Sequence, residues 1–268
     1  MRIGYQGEKG AYSEIAARKY FLGNIETIGF KDLEKVFDAV TKKKIDFGIV
    51  PIENSQVGSI YKTYDLLLKK SLFIYGEYYL GITHCLLGNK GTSLKKIKKV
   101  FSHPQALGQC EKFLAENNYQ EYATYDTAGS AKIIGKNDDE AIIASEDAAK
   151  IYGLKVLKKS IETNKYNTTR FIIISMTENN IRENCKTSLV FETKHIPAAL
   201  YKCLGGFATN GINLTKIESR PIKGEQWKYM FYLDFEGHKD DVNIKFALEE
   251  LKSMTLFLKL LGSYPKGK

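Results

Sequence analysis

Apolar residues along this chain fall in short runs separated by polar or glycine-rich turns, and the runs alternate between strand and helix spacing. Arg2-Ile3-Gly4-Tyr5 reads as a strand that enters the turn Gln6-Gly7-Glu8-Lys9-Gly10 and a helix through about Tyr20. Asp32 then opens a helix whose Leu33, Val36, Phe37 and Val40 recur on one helical face. A strand at 47–50 ends at Pro51 and delivers Glu53-Asn54-Ser55 ahead of a helix carrying Ile60, Leu67 and Leu68. A long strand-like crossing spans 72–87, and a strand at 98–101 ends in Ser102-His103-Pro104-Gln105 before a helix over 106–116. After a strand near Tyr122, Asp126-Thr127 caps a helix to Gly135; a strand at 141–143 then leads to Ser145-Glu146-Asp147 and a helix that stops at Gly153. Strands alternating with amphipathic helices predict an open α/β architecture.

The polar clusters Glu53-Asn54-Ser55, Ser102-His103, Asp126-Thr127 and Ser145-Glu146 all follow strands, which puts them at strand carboxyl ends, where open α/β sheets form their ligand crevice. Taken singly, each is an ordinary helix cap. Together they mark one rim, with helix amino termini, as at Pro104 behind Ser102 or His103, offering unpaired N–H groups to an anion.

From about residue 177 the pattern changes. The polar stretch 177–184 reads as a linker, followed by a strand at 187–191, a helix over 197–209 closed by Asn210-Gly211, and a strand at 212–221. A turn at Lys223-Gly224, an aromatic-rich strand at 227–235, a helix over 240–253 and a strand at 256–261 complete a βαββαβ order, which is ferredoxin-like. Such small modules commonly pair through sheet edges or helices, so a homo-oligomer is expected.

At 268 residues with 43% hydrophobic composition, the chain is long enough for two ordinary cores. No stretch approaches the run of ~20 apolar residues that a membrane span needs, and Met1 leads directly into patterned sequence, so a cytoplasmic protein is expected. Cys85, Cys110, Cys185 and Cys203 are far apart and lack metal-type spacing, which suits reduced, buried thiols and predicts no metal. The net charge of +9 comes from scattered lysines without an interleaved aromatic platform, which argues against nucleic acid and suits steering of a small anion.

Arginine is scarce: Arg2, Arg18, Arg170, Arg182 and Arg220 are the arginines among 40 basic residues. Arg170 stands in Asn167-Thr168-Thr169-Arg170-Phe171, directly before the apolar Ile172-Ile173-Ile174. Its planar fork suits either a carboxylate clamp or a structural ion pair, and the neighbouring threonines add neutral donors. Adjacent residues of a strand point to opposite faces, so Thr169 and Arg170 share one substrate only where the backbone is irregular.

The segments Gly4 to Ser13, Pro51-Ile52-Glu53-Asn54-Ser55-Gln56-Val57-Gly58, Ser102-His103-Pro104-Gln105-Ala106-Leu107 and Asn167-Thr168-Thr169-Arg170-Phe171 resemble prephenate dehydratases in order and spacing. The tail, including Gly211-Ile212-Asn213-Leu214-Thr215-Lys216-Ile217-Glu218-Ser219-Arg220-Pro221, is similar to the ACT regulatory domain that follows in that family. The resemblance implies a two-lobed catalytic domain over 1–177, similar to type 2 periplasmic-binding folds, whose chain crosses near 78 and returns near 156. A linker over 178–186 and an ACT domain over 187–264 would follow. It implies conversion of prephenate to phenylpyruvate without a cofactor, with Thr169 catalytic. Asn54, Ser55, Ser102, Gln105, Asn167 and Arg170 would bind substrate, and His103 would serve as acid/base or loop organiser. It also implies an L-phenylalanine site involving Ala198, Ala199, Leu200, Asn213, Leu214, Glu218, Ser219 and Arg220, in a homodimer or homotetramer. Family members usually carry Gly-Ala-Leu where this chain has Ala198-Ala199-Leu200, so a methyl group enters that space. Arogenate, which differs from prephenate by an amino group in place of the keto oxygen, is an alternative substrate. A non-catalytic amino-acid sensor or solute-binding protein is the alternative class.

Overall fold

The computed structural model describes every residue except Lys136, Lys223, Gln226 and Lys268; the turn expected at Lys223 therefore lies partly outside the described residues. The chain begins β1 (Arg2–Gln6), α1 (Tyr12–Tyr20), β2 (Glu26–Phe30), α2 (Leu33–Thr41), β3 (Phe47–Asn54), β4 (Gly58–Ser59), α3 (Tyr61–Lys69) and β5 (Phe73–Gly81). It continues through β6 (Cys85–Gly88), β7 (Lys99–Ser102), α4 (Pro104–Gln109), α5 (Glu111–Glu116), β8 (Gln120–Ala123), β9 (Glu140–Ala144), α6 (Glu146–Tyr152) and β10 (Lys155–Lys158). Then follow β11 (Thr168–Ser175), β12 (Cys185–Thr193), α7 (Ala199–Thr209), β13 (Leu214–Pro221), β14 (Tyr229–Glu236), α8 (Val242–Met254) and β15 (Thr255–Pro265).

Among the described residues these strands form three sheets. The first has the order β2-β1-β3-β11-β5 with β4 paired to β3; the second β10-β6-β9-β7-β8; the third β13-β14-β12-β15. By compactness the chain divides into residues 1–63 with 78–171, and residues 64–77 with 172–268.

In the first unit the helix signals behave as the sequence chemistry predicts. The Asp32 carboxylate accepts from Lys35 N at 3.0 Å, and α2 buries Leu33, Val36, Phe37 and Val40. Ser145 caps α6, which ends on Gly153 in the left-handed region at φ 67°. Gly10, at φ 86°, lies so close to α6 that a Cβ would sit 3.0 Å from Ala148 Cα, and the Gly10 carbonyl accepts from Ser145 Oγ at 2.7 Å. That approach and that φ together require glycine.

Three expectations need correction. The helix expected over 126–135 is a single 3-10 turn, Gly129–Lys132, because Asp126 folds back to accept from Gly129 N at 2.6 Å and glycines stand at 129 and 135. The helix expected over 106–116 is two, α4 and α5, broken at Cys110 (φ −112°, ψ 12°) just after Gly108. The crossing expected over 72–87 is two strands in different sheets, β5 and β6, interrupted at residues 82–84.

In the second unit, β12-α7-β13-β14-α8-β15 is the βαββαβ order expected, with sheet order β13-β14-β12-β15. Its core gathers Leu189, Phe191, Phe207, Leu233, Phe235, Ile244 and Leu251 between sheet and helices. Residues 64–77 dock on this module through polar bonds: Arg220 Nη2 to Asp65 Oδ1 at 2.7 Å, Tyr232 Oη to the Tyr64 carbonyl at 3.0 Å, and Lys186 Nζ to Glu77 Oε1 at 2.9 Å. Lys259 Nζ donates to the carbonyls of Leu67, Leu68 and Lys70, the end of α3, although burial lowers its pKa.

Ala198 precedes α7 in the left-handed region, φ 61° and ψ 12°, where a Cβ is strained. The strain costs about 1–2 kcal/mol, whereas glycine loses about 0.4–1 kcal/mol more chain entropy on folding. Ala198→Gly is therefore expected to stabilise the protein by about 0.5–1 kcal/mol, measured as a rise in the denaturant midpoint; an unchanged or lower midpoint would show that the φ is not strained.

Candidate active site

The carboxyl ends of β1, β3 and β7 and the start of β11 converge on a cavity of about 190 Å³ within the first unit, lined among others by Tyr12, Asn54, His84, His103, Gln105, Gln109, Asp126 and Thr169. Tyr12 and Asn54 come from the first sheet's side and His103, Gln105, Gln109 and Asp126 from the second's, with Thr169 on β11.

Asn54 is the organiser. Its Nδ2 donates to Asn167 Oδ1 at 2.7 Å and to Thr169 Oγ1 at 2.9 Å, while its Oδ1 accepts from Gln56 N at 3.0 Å and Val57 N at 3.2 Å. Because the Thr169 oxygen already accepts from Asn54, its own proton is left to point to another acceptor, and Thr169 lines the cavity.

The remaining expected substrate contacts divide. Gln105 and His103 line the cavity, and His103 Nδ1 also caps α4 by accepting from Gln105 N at 3.2 Å. Asn167 is buried behind Asn54 and acts on the site through it. Ser102 is fully buried and donates to the Ile143 carbonyl at 2.7 Å, tying β7 to β9 rather than lining the cavity. Ser55 is exposed and joins the two chain segments by accepting from Thr168 N at 2.9 Å and donating to the Tyr166 carbonyl at 3.2 Å. The β11 backbone is regular here, so Arg170 faces away from Thr169: it is 5% exposed, lies 3.9 Å from Glu53, and does not line the cavity. Arg170 therefore lies beside Glu53 rather than on the cavity wall.

Sequence reasoning passed over three lining residues. Tyr12, His84 and Gln109 form a buried chain, with Tyr12 Oη 3.0 Å from His84 Nδ1 and His84 Nε2 2.8 Å from Gln109 Oε1. A histidine inside an apolar run, at the break between β5 and β6, was the available signal. Burial lowers the His84 pKa, against the Gln109 hydrogen bond and the Glu162 carboxylate. Asp126, expected as a cap within one of the polar clusters on the rim, lines the cavity with its pKa raised by burial despite the Gly129 N–H bond.

The expected regulatory residues fall in two places in the second unit. Ala198, Ala199 and Leu200 line a cavity of about 270 Å³ with His195, Trp227 and Tyr229. Asn213 precedes β13, and Leu214, Glu218, Ser219 and Arg220 lie on that edge strand, with Arg220 against Asp65. Ala198 to Leu200 and Arg220 line two separate cavities.

The sequence profile of the prephenate dehydratase family matches residues 3–179. The chain belongs to that family. A chloroplastic protein of Arabidopsis thaliana named arogenate dehydratase/prephenate dehydratase 2 is 42% identical over 278 residues, covering 99% of this chain and 73% of its own. Two solved structures share the fold over nearly the whole chain. One, described as "GqqA- a novel type of quorum quenching acylases", has a TM-score of 0.90 and 32% identity, covering 99% of this chain and 98% of that one. The other, prephenate dehydratase in complex with L-Phe from Arthrobacter aurescens, has a TM-score of 0.89 and 29% identity, covering 99% and 90%. Among the described residues, no helix is long and apolar enough to cross a membrane and no group of His, Cys, Asp and Glu could hold a metal ion.

If Asn54 aims the Thr169 proton, Asn54→Asp should remove that aim, because a carboxylate accepts where the amide donated and the threonine hydroxyl then turns to it. A fall in kcat of about 10²-fold or more is expected, with the circular-dichroism spectrum retained; undiminished kcat would refute the orienting role.

Proposed function

We propose that the protein catalyses the decarboxylating dehydration of prephenate to phenylpyruvate. The C–C bond to the ring carboxylate breaks, its electron pair completes the aromatic ring, and the ring C–O bond breaks toward oxygen. One proton converts the departing hydroxide to water, so a dianion and a proton become a monoanion, carbon dioxide and water. Aromatisation supplies the driving force, which leaves the protein to hold a dianion and stabilise the leaving oxygen.

The observation that carries this reading is the Thr169 hydroxyl, whose oxygen accepts from Asn54 at 2.9 Å in a small cavity and whose proton is thereby available to the leaving oxygen. Thr169 donates a hydrogen bond and does not surrender its proton outright, since an alkyl hydroxyl is far too weak an acid. Gln105 and Asn54 supply neutral polar contacts, and His103 either organises α4 or exchanges protons at the rim. Arogenate is the second reading, favoured by the dual name of the Arabidopsis relative. We further propose residues 1–177 as the catalytic domain, 178–186 as a linker and 187–264 as an ACT domain. That domain would bind phenylalanine between two copies, one giving the Ala198 to Leu200 cavity and the other the Glu218 to Arg220 strand.

Thr169→Ala is expected to lower kcat by about 10²- to 10³-fold, with KM changed much less, and Thr169→Ser to recover part of it. Phenylpyruvate formed from prephenate and phenylalanine formed from arogenate, which keeps its amino group, by the same preparations read both the role and the substrate. Full turnover in the alanine variant would remove Thr169 from the chemistry, and no turnover of either substrate by the unaltered protein would leave a sensor or solute-binding role.

Phenylalanine is expected to inhibit by binding one of two states more tightly, and more strongly in Ala198→Gly, where the methyl is gone. Titration of activity beside calorimetry checks this; no phenylalanine binding by either protein would mean that residues 187–264 serve assembly alone.

A further inference from the structure

The reaction consumes a proton, and the buried Tyr12–His84–Gln109 chain constrains where hydrogens can sit. Tyr12 Oη approaches the Thr83 carbonyl at 2.7 Å, a separation at which two oxygens need a proton between them, so the single hydroxyl proton lies there. His84 Nδ1, 3.0 Å from the same Oη, must then carry a hydrogen and donate it. At the other end, His84 Nε2 faces Gln109 Oε1 at 2.8 Å, and Gln109 Nε2 is buried with no hydrogen-bond partner.

An oxygen opposite Nε2 requires a hydrogen there too, and an imidazole with both nitrogens protonated is charged. Neutral His84, held by Tyr12 as the Nδ1–H tautomer, has a lone pair at Nε2 and needs the Gln109 NH2 instead. A half-turn of the amide supplies it, because its O and NH2 ends are nearly the same size. The orphan is then a carbonyl oxygen rather than an NH2.

We infer that His84 is a positioning residue whose protonation decides which end of the Gln109 amide is left for the substrate. Charged His84 binds the amide oxygen and leaves the NH2 for an anionic group; neutral His84 binds the NH2 and leaves the oxygen, which repels one. The inference rests on the proposed function only for the substrate's negative charge. The titratable groups around His84 are Tyr12 on α1, Cys85 on β6, Cys110 between α4 and α5, and Glu162, with His103 and Asp126 elsewhere on the cavity wall. Burial raises Tyr12 and both thiols, which keeps them neutral, while the Glu162 carboxylate accepts from His84 N at 2.9 Å and favours the cation. Burial of the ring opposes it, so free His84 is neutral at neutral pH and gains its proton as the anion binds. Substrate binding and proton uptake are therefore linked.

Two measurements on the full chain test this. Nitrogen NMR of ¹⁵N-histidine-labelled protein should show neutral His84 as the Nδ1–H tautomer; an Nε2–H tautomer would overturn the inference. In the unaltered protein kcat/KM for prephenate should fall about tenfold per pH unit above the pKa of free His84, through KM rather than kcat. His84→Gln, which cannot titrate, should lose that limb while His103→Gln keeps it. A limb that persists in His84→Gln, or a flat profile with full turnover in the unaltered protein, would overturn the inference. No turnover at any pH would instead overturn the proposed function, and the tautomer would then decide the inference alone.

Discussion

The Asn54 amide is the interaction on which the site depends. A carboxamide has two hydrogens to give and two lone pairs, and here all four are used: Asn167 and Thr169 on one side, the backbone N–H groups of Gln56 and Val57 on the other. One buried side chain thus joins the end of β3 to the start of β11, fixes the turn after β3, and sets the direction of the Thr169 hydroxyl. Networks of this kind are rigid when every member is satisfied and costly when one is removed.

Several polar residues at strand ends serve construction rather than recognition. Ser102 ties β7 to β9 through the Ile143 carbonyl, and Ser145 caps α6 while holding the Gly10 carbonyl. Those bonds hold the cavity walls in place and leave its lining mostly to uncharged groups, with His84, His103, Tyr125 and Asp126 among its titratable residues. An anion therefore meets orientable dipoles more than fixed charges, and dipoles aimed in advance stabilise developing charge without reorganising.

In the second unit, cations do a similar building task. Lys259 gathers the carbonyls that α3 leaves unsatisfied, and Arg220 grips Asp65 on the same helix. Arg220 therefore has a partner within its own chain, and a ligand that draws its guanidinium away must offset the loss of that bond.

Periodicity gave the βαββαβ tail, the rim on which polar clusters gather and most of the element order, because side-chain burial repeats with the backbone period and needs no distant partner; it missed the breaks at residues 82–84 and at Cys110 and the short turn at Gly129–Lys132. Of the motif residues, Thr169, Asn54, Gln105 and His103 line one cavity. Tertiary structure decided what each polar side chain faces. Arg170 and Ser102 match ligand-binding types yet turn inward, and Tyr12, His84 and Gln109, 72 and 25 residues apart along the chain, meet only because separate sheets bring them together. Hydrogen-bond partnership is a property of three-dimensional neighbours, and residue type specifies only what a side chain can donate or accept.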